Sequence, residues 1–382
     1  MSPKRSIFEE VGNKAPAARA TPKGNLIDAR PRGARQAIRI WLIVLFALVV
    51  AMIGVGGATR LTDSGLSITE WRPVTGALPP MDEAAWAGEF AKYQATPQFA
   101  LMNRGMTLAE FKGIYWWEWG HRQLGRTIGL VWAVGFLGFL ATRRIPPGWV
   151  PRLLGIGVLG GLQGAIGWWM VSSGLVGDMT SVASYRLAVH LGLAFLILGF
   201  IAWYVLELGR SQAELLQARR LAEPKLFGTA TGVLHLAFLQ VLLGALVAGI
   251  DAGRGFTDWP LMGGQVLPPD PFALSPLWRN FFEDPGLVQF MHRAVGYLVL
   301  VFGAVVAVLG RRSPQAATRM AFAWMGTWLL VQVGLGIVTL VHGAPMHLGL
   351  IHQMGAVVAF VLILRARFLA RYPVVQSIRG SR

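Results

Sequence analysis

The stretch Glu118-Trp-Gly-His-Arg122 has a counterpart in the second half of the chain, Gln289-Phe-Met-His-Arg293. Each leads into an apolar run of about 20 residues, the length with which an α-helix crosses the hydrocarbon core of a membrane. Such runs predict eight spans along the chain, at 38–59, 121–141, 150–172, 185–207, 227–249, 288–310, 319–341 and 348–369. Because unpaired backbone groups cannot face lipid, we expect an all-α integral membrane protein.

The composition and the placement of charge agree with a membrane protein. The chain is 54% hydrophobic and 14% charged, with a mean hydropathy of +0.50. Its net charge of +16 would also suit a nucleic-acid-binding protein. However, most of the 35 Lys and Arg fall on one side of the membrane if the N-terminus is cytoplasmic, as the positive-inside rule requires. We therefore interpret the charge as a topology signal, and eight spans then place both termini in the cytoplasm.

The segments outside the spans bear on localisation. Residues 1–37 are polar and rich in Pro, Gly and Arg, which predicts a disordered basic cytoplasmic tail. Glu9, Glu10 and Asp28 are unusual in a mitochondrial transit peptide, and no cleavable secretory signal is evident. With no Cys, the chain can form neither a disulfide nor a thiolate ligand. We expect a multi-pass protein of the bacterial inner (plasma) membrane, with the mitochondrial inner membrane as the second possibility.

An internal repeat relates the two halves of the chain. Thr69-Glu70-Trp71 is followed by Pro79-Pro80 in the first half, and Thr257-Asp258-Trp259 by Pro268-Pro269 in the second. A Gln and a Gly stand four residues apart in spans 3 and 7, as Gln163/Gly167 and Gln332/Gly336. We predict two tandem four-helix bundles, at 38–210 and 227–370, with a cytoplasmic linker at 211–226 and a cytoplasmic tail at 371–382. Four spans per half give a parallel pseudo-two-fold repeat, with its axis along the membrane normal.

Four histidines occupy equivalent places in the two halves. His121 and His292 begin spans 2 and 6, and His190 and His352 lie about one turn inside spans 4 and 8. All four should therefore lie near the outer surface, where two helices of each bundle can bring a pair together. Neutral imidazole is a good axial ligand for haem iron, so two haem sites are predicted.

Other interpretations of these histidines remain open. A single His in an apolar span is most often a hydrogen-bonded packing or proton-relay residue. Zinc is disfavoured because no thiolate or carboxylate cluster accompanies the histidines. We interpret His235 as structural, since its repeat mate falls near Ile43, and assign no role to His342 and His347, which flank a short outer loop.

Glu118 is the polar residue that distinguishes the two halves. It stands one turn before His121 on the same helical face, and its repeat mate is the uncharged Gln289. A cap at a helix N-terminus is the ordinary role for such an acid, and a catalytic or proton-handling role is the alternative that we favour. Arg122 and Arg293 are predicted either to pair with haem propionates or to lie as interfacial arginines at the membrane surface.

The motifs together resemble the haem A synthase family. The resemblance rests on Glu-x-x-His-Arg at 118–122, the four paired histidines, the eight spans, and the segment Gly-Gly-Ala-Thr-Arg-Leu-Thr-Asp-Ser-Gly-Leu-Ser at 56–67. It covers about 38–370. Some members carry a cysteine pair in an outer loop, whereas this chain resembles the cysteine-free type of proteobacteria and mitochondria.

The resemblance implies an activity and a division of labour between the halves. The expected reaction is oxidation of the C8 methyl group of haem O to a formyl group by successive hydroxylations, which gives haem A for cytochrome oxidase. A resident haem b is implied at His292 and His352, and the haem O substrate or haem A product at His121 and His190. Glu118 would then move protons or stabilise a cationic intermediate. Haem O synthase and cytochrome oxidase assembly factors are expected partners, and a homo-oligomer is possible.

Two other function classes compete with this interpretation. A di-haem b electron-transfer cytochrome would carry both haems unmodified, and Glu118 would be dispensable. A transporter could also have duplicated halves, but matching Gly/Pro-interrupted spans at the membrane midplane are not evident. The electron donor, the source of the formyl oxygen, the oligomeric state and the fold of the outer loop 60–118 do not follow from the sequence.

Overall fold

The computed structural model describes residues 32–374, which contain twelve α-helices and no β-strand. In chain order they are α1 (Arg32–Leu61), α2 (Glu83–Gln94), α3 (Pro97–Met102), α4 (Leu108–Ala141), α5 (Val150–Ser173), α6 (Ser184–Leu208), α7 (Gln212–Arg219), α8 (Pro224–Gly249), α9 (Asn280–Glu283), α10 (Pro285–Gly310), α11 (Ala316–Val341) and α12 (Met346–Arg371). Most of the predicted N-terminal tail, 1–31, and residues 375–382 of the C-terminal tail lie outside the described residues.

Eight of these helices are long and apolar enough to cross a membrane, which confirms the predicted all-α membrane protein with eight spans. They are α1, α4, α5, α6, α8, α10, α11 and α12. Large apolar side chains such as Leu130, Val134 and Leu137 of α4 are exposed, as expected for side chains that face lipid. The first span is longer than predicted, because α1 begins at Arg32 rather than at 38.

The start of the second span differs most from the prediction. Helix α4 begins at Leu108, where Thr107 and Glu110 form a capping box, more than three turns before His121. The predictions that His121 begins its helix and that Glu118 could be a helix cap were therefore wrong. Hydropathy did not predict the N-terminal part of α4, because polar residues and exposed tryptophans interrupt its apolar positions.

The loop between the first two spans folds into a small aromatic layer at the end of the long helices where α1 finishes, which is named the outer end after its predicted orientation. Helix α2 packs against the N-terminal part of α4 through Trp86, Tyr93, Phe111 and Tyr115, all buried, and Phe99 of α3 packs on the same cluster. The Tyr93 and Phe111 rings stack with centroids 5.3 Å apart. This packing stabilises α4 well beyond its apolar segment, so the membrane helix and its extension form one continuous helix.

The long helices pack as two sets of four. Helices α1, α4, α5 and α6 contact one another in one set, and α8, α10, α11 and α12 do so in the other. The sets meet where α6 packs on α8 and α12, and where α1 packs on α12. Phe195 and Phe360 form an edge-to-face pair at this junction, with centroids 5.3 Å apart. Each set therefore has its own helix–helix core, and the interface between sets is also apolar.

Polar contacts tie the two sets together on the outer side. The Arg60 side chain, only 12% exposed, donates to Asp63 at 2.8 Å and to Asp251 at 2.9 Å. Gln353 of α12 donates to the Ile53 carbonyl of α1 at 2.7 Å. Since the guanidinium joins the ends of α1 and α8, the outer ends of the two sets are held in register.

Candidate functional site

The second set of helices brings the rings of His292 and His352 together in an edge-to-face arrangement. Their ring centroids are 6.3 Å apart and the ring planes cross at 84°. With metal–nitrogen bonds of about 2 Å on each side, one metal ion between two imidazoles needs about this separation of ring centres. The pair, brought together from α10 and α12 as predicted, therefore has the spacing for a shared axial site.

In the first set, His121 of α4 and His190 of α6 lie close enough to interact electrostatically. His190 belongs to the seventh position of α6, and His352 to the seventh position of α12. Both therefore lie closer to two turns than to one turn inside their helices. All four imidazoles are partly buried between helices.

Each of the four imidazoles packs against a glycine of a neighbouring helix. A Cβ added to that glycine would lie 2.9 to 3.1 Å from a ring atom in every case. The pairs are Gly56 with His121, Gly167 with His190, Gly244 with His292, and Gly336 with His352. Sequence analysis had noticed Gly167 and Gly336, but missed Gly56 and Gly244 among the other glycines of their helices. A side chain at Gly167 or Gly336 would displace the ring and one at Gly56 or Gly244 would crowd it, so the four glycines form a cradle for the imidazoles.

Three of the four histidines also carry a glutamine partner from the helix that supplies the glycine. The amide nitrogens of Gln163, Gln240 and Gln332 donate to the carbonyls of His190, His292 and His352 at 3.0, 2.9 and 2.9 Å. Each of these nitrogens also lies 3.1 to 3.4 Å from a nitrogen of the same histidine ring. Gln240 was missed by the sequence analysis, although it stands four residues before Gly244 as the other two stand before their glycines.

These sites fit a haem held by two histidines. The Oε1 atoms of all three glutamines and Nδ1 of His190 are buried and lack a hydrogen-bond partner within residues 32–374. These unpartnered atoms leave hydrogen-bonding capacity at the sites, and an iron-bound imidazole coordinates through one ring nitrogen and donates from the other. The described part of the chain has no group of three or more His, Asp or Glu that could hold a bare metal ion. Two imidazoles alone suit a haem, whose porphyrin supplies the remaining nitrogens.

Glu118 lies beside the first pair and is enclosed by hydrogen-bond donors. Its side chain is 3% exposed. It accepts from the Ser67 hydroxyl at 2.8 Å, from the Ile68 backbone N–H at 2.7 Å, and from Arg122 Nη2 at 2.5 Å. A carboxylate so deeply buried is stable only when paired and hydrogen-bonded in this way. Glu118 therefore anchors the loop after α1 to α4, one turn before His121.

Arg122 and Arg293 donate hydrogen bonds to backbone carbonyls of a loop, a role that neither the propionate nor the membrane-surface interpretation predicted. Arg122 donates to the carbonyls of Ile68 and Glu70 at 2.7 and 2.8 Å. Arg293 donates in the same way to the carbonyls of Phe256, Asp258 and Leu261, at 2.9 to 3.0 Å. Both arginines thus clamp the loop that follows the first span of their set onto the helix that carries the histidine.

A cavity of about 360 Å³ is lined by Arg122 together with residues of the loop after α1 and of α2. Its charged lining includes Arg72 and Lys92, which form ion pairs with the acids Glu70 and Glu89, and also Arg126. Lys92 donates to Glu89 at 2.8 Å, and this hydrogen bond raises the pKa of Lys92 above its usual value. The first set of helices is therefore covered by a polar, ion-paired pocket between the loop and α2.

The three remaining histidines lie apart from the pairs. His235 and His347 are exposed, and the exposed His342 contacts the Val338 carbonyl at 2.8 Å. These three histidines therefore belong to neither imidazole pair.

Comparison with known proteins places the chain in a family. A family model described as "Cytochrome oxidase assembly protein" matches residues 39–364. The chain belongs to this family. It is 66% identical to a "Heme A synthase" from Ruegeria pomeroyi over the full length of both chains. It is 62% identical to another from Paracoccus denitrificans and 64% identical to one from Ruegeria sp. (strain TM1040), with 98 to 99% of each chain covered.

Membership of the cytochrome oxidase assembly protein family confirms the resemblance described from the sequence motifs. The matched range contains both imidazole pairs, the four cradle glycines and Glu118. The sites described above therefore belong to the part of the chain that the family shares. The bacterial relatives and the eight apolar helices together support a multi-pass protein of the bacterial inner membrane.

Proposed function

We propose that this protein is a haem A synthase, which oxidises the C8 methyl group of haem O to a formyl group and so produces haem A. The observation that carries the proposal is the presence of two glycine-cradled imidazole pairs, with a buried carboxylate beside only one of them. Full-length identity of 60 to 66% to relatives named for this activity supports it.

The two pairs would hold different haems. The pair His292 and His352 holds a resident haem b, and His121 and His190 hold the haem O substrate. The centroid spacing of 6.3 Å supports an axial site in the second set. The carboxylate of Glu118 supports chemistry in the first set, since its counterpart Gln289 cannot ionise. Arg122 and Arg293 keep each outer loop closed over its site through the carbonyl contacts described above.

The mechanism assigns defined tasks to the residues of the first set. Haem iron held by the histidines would supply the oxidising chemistry together with an external oxidant that accepts four electrons in all; two successive hydroxylations of the methyl group followed by loss of water would yield the aldehyde. Ser67, Ile68 and Arg122 hold the Glu118 carboxylate in one position and close the site to bulk water. Glu118 takes up or returns a proton beside the reacting edge of the substrate, or stabilises positive charge there.

The wider setting follows from the same proposal. Both termini lie in the cytoplasm, and the histidines and outer loops face the periplasm, as the distribution of Lys and Arg supports. The halves are related by a parallel pseudo-two-fold repeat, which the equivalent glycine and arginine contacts support. Expected partners are haem O synthase and cytochrome oxidase assembly factors.

The proposal is tested by identifying the haems in the purified protein. The full chain is produced in a host that makes haem O, and its haems are extracted with acid acetone and separated by chromatography with mass detection. Haem B together with haem O, hydroxylated haem O or haem A is expected. His121→Ala should remove the haem O-derived species, and His352→Ala should remove haem B.

A matched control and a contrary result complete the test. His235→Ala alters a histidine outside both pairs and should leave the haem content unchanged. Haem B alone, despite available haem O, would instead identify a di-haem electron-transfer cytochrome that does no chemistry on its haems.

A further inference from the structure

His121 differs from the other three histidines in one contact. Gln163, Gln240 and Gln332 each donate to the histidine they accompany, whereas in the described residues no side-chain hydrogen bond reaches the ring of His121. The glycine that cradles His121 is Gly56, and the residue four positions before it is Met52. The first site thus has a thioether where the other three have an amide.

Met52 and Gln240 occupy matching places. A Cβ on Gly296, one turn after His292, would lie 3.1 Å from Gln240 Nε2. A Cβ on Gly125, one turn after His121, would lie 3.4 Å from Met52 Cε. Both side chains therefore cross from the glycine-bearing helix to the turn that follows the histidine, and only their chemistry differs.

This difference bears directly on how firmly each imidazole can hold iron. An outer hydrogen bond fixes the orientation of a ligating histidine and raises its basicity, and its removal typically costs about 10- to 100-fold in metal affinity. Each glutamine limits the movement of its histidine, because its amide nitrogen donates to the histidine carbonyl at 2.9 to 3.0 Å and lies 3.1 to 3.4 Å from a ring nitrogen. The thioether of Met52 is at best a weak acceptor.

We infer that Met52 makes His121 the exchangeable axial ligand, through which haem O enters the first site and haem A leaves it. The inference rests on the proposed function and adds the way in which its substrate site turns over. His190 keeps its glutamine, so the haem stays bound on one side while His121 releases the iron. His292 and His352 both have a glutamine partner, as expected for a permanently bound haem. Met52 is accordingly a positioning residue that acts through His121.

The asymmetry is tested by exchanging the two side chains. Purified full-length protein carrying both haems is mixed with excess apomyoglobin, and the haems that remain bound are identified by chromatography over time. Met52→Gln should slow release of the haem O-derived species about 10- to 100-fold, the range found for outer-shell partners. Gln240→Met should speed release of haem B by a similar factor. Met52→Leu keeps an apolar side chain and should release its haem at the wild-type rate.

Carbon monoxide binding to the reduced protein gives a spectroscopic signal that a purely structural effect of the substitution on helix packing would not change. The ligand with the weaker bond to iron is displaced first, so wild-type protein should bind carbon monoxide at the haem O-derived species. Met52→Gln should suppress that binding, and Gln240→Met should create it at haem B.

The results separate this inference from the proposed function. If the first site binds a haem but Met52→Gln changes its release by less than about twofold, the inference is wrong and the function stands. If Met52→Gln does not fold, Gln240→Met decides alone, and unchanged release of haem B overturns the inference. If the first site holds no haem and takes up none on titration with haemin, the proposed function fails and the inference fails with it.

Discussion

The Glu118 carboxylate accepts a hydrogen bond from the backbone N–H of Ile68, whereas the equivalent Gln289 donates to the backbone carbonyl of Phe256. The donor–acceptor distances are 2.7 and 3.0 Å. The acid-to-amide difference between the halves is therefore matched by a reversed hydrogen bond to the loop. The Glu118 carboxylate thus has two properties: it anchors the loop and it can ionise. A substitution that keeps the first and removes the second separates them.

Glu118→Gln should lower conversion of haem O to haem A by at least about 100-fold while both haems remain bound. A general acid or base contributes about 10²- to 10⁴-fold, and the amide can still accept from Ile68 but cannot transfer a proton. The measurement is the haem A fraction in extracts from equal amounts of protein. Gln289→Glu is the matched control and should leave conversion unimpaired. Full conversion by Glu118→Gln would show that the carboxylate only anchors the loop.

The sequence predicted the elements that depend on long apolar runs and missed those that depend on contacts. All eight spans follow from hydropathy, because a lipid-facing helix must be apolar along its length. The outer extension of α4 does not, since Phe111 and Tyr115 are buried by α2 rather than by lipid. The histidine pairs could be predicted because the repeat places them in matching positions. The role of Gln240 could not be predicted in this way, because its counterpart in the first half is Met52 and comparison of the halves therefore shows no shared residue at this position.

Gly167→Ala should weaken haem binding in the first site. The new methyl would lie 2.9 Å from His190 Cε1, closer than atoms pack, so the ring must move. We expect selective loss of the haem O-derived species, measured by extraction. Gly164→Ala on the same helix is the control, because its Cβ would enter open space. Equal haem loss in both variants would point to a general effect of alanine on α5.

Arg60→Ala should destabilise the junction between the two helix sets. The substitution leaves Asp63 and Asp251 without their shared partner, and hydrogen bonds to charged groups contribute about 2 kcal/mol each. Both acids are near 40% exposed, so we expect the loss to be at the lower end, about 1–2 kcal/mol in all. The measurement is the midpoint of thermal unfolding in detergent. Arg254→Ala removes only a longer, exposed contact to Asp251 and should have little effect; an equal shift in both variants would contradict the assigned role of Arg60.

The outer loop of the second set should open in acid. Backbone N–H groups of Gly263 and Gly264 donate to the Asp258 carboxylate and hold its pKa below the usual value. A group whose pKa is lowered by folding stabilises the loop above its ordinary pKa of about 4, and that contribution is lost as the pH falls through the lowered value. Protease cleavage within this loop should therefore rise only below about pH 4, as measured with an acid-active protease.

Asp258→Asn should expose the same loop already at neutral pH and remove the dependence on acid, because the amide lacks the charge that the two N–H groups stabilise. Asp270→Asn, in the same loop, serves as the control and should keep the wild-type pH profile. Identical profiles for wild-type protein and Asp258→Asn would mean that the loop is held by Arg293 alone, through the carbonyls of Phe256, Asp258 and Leu261.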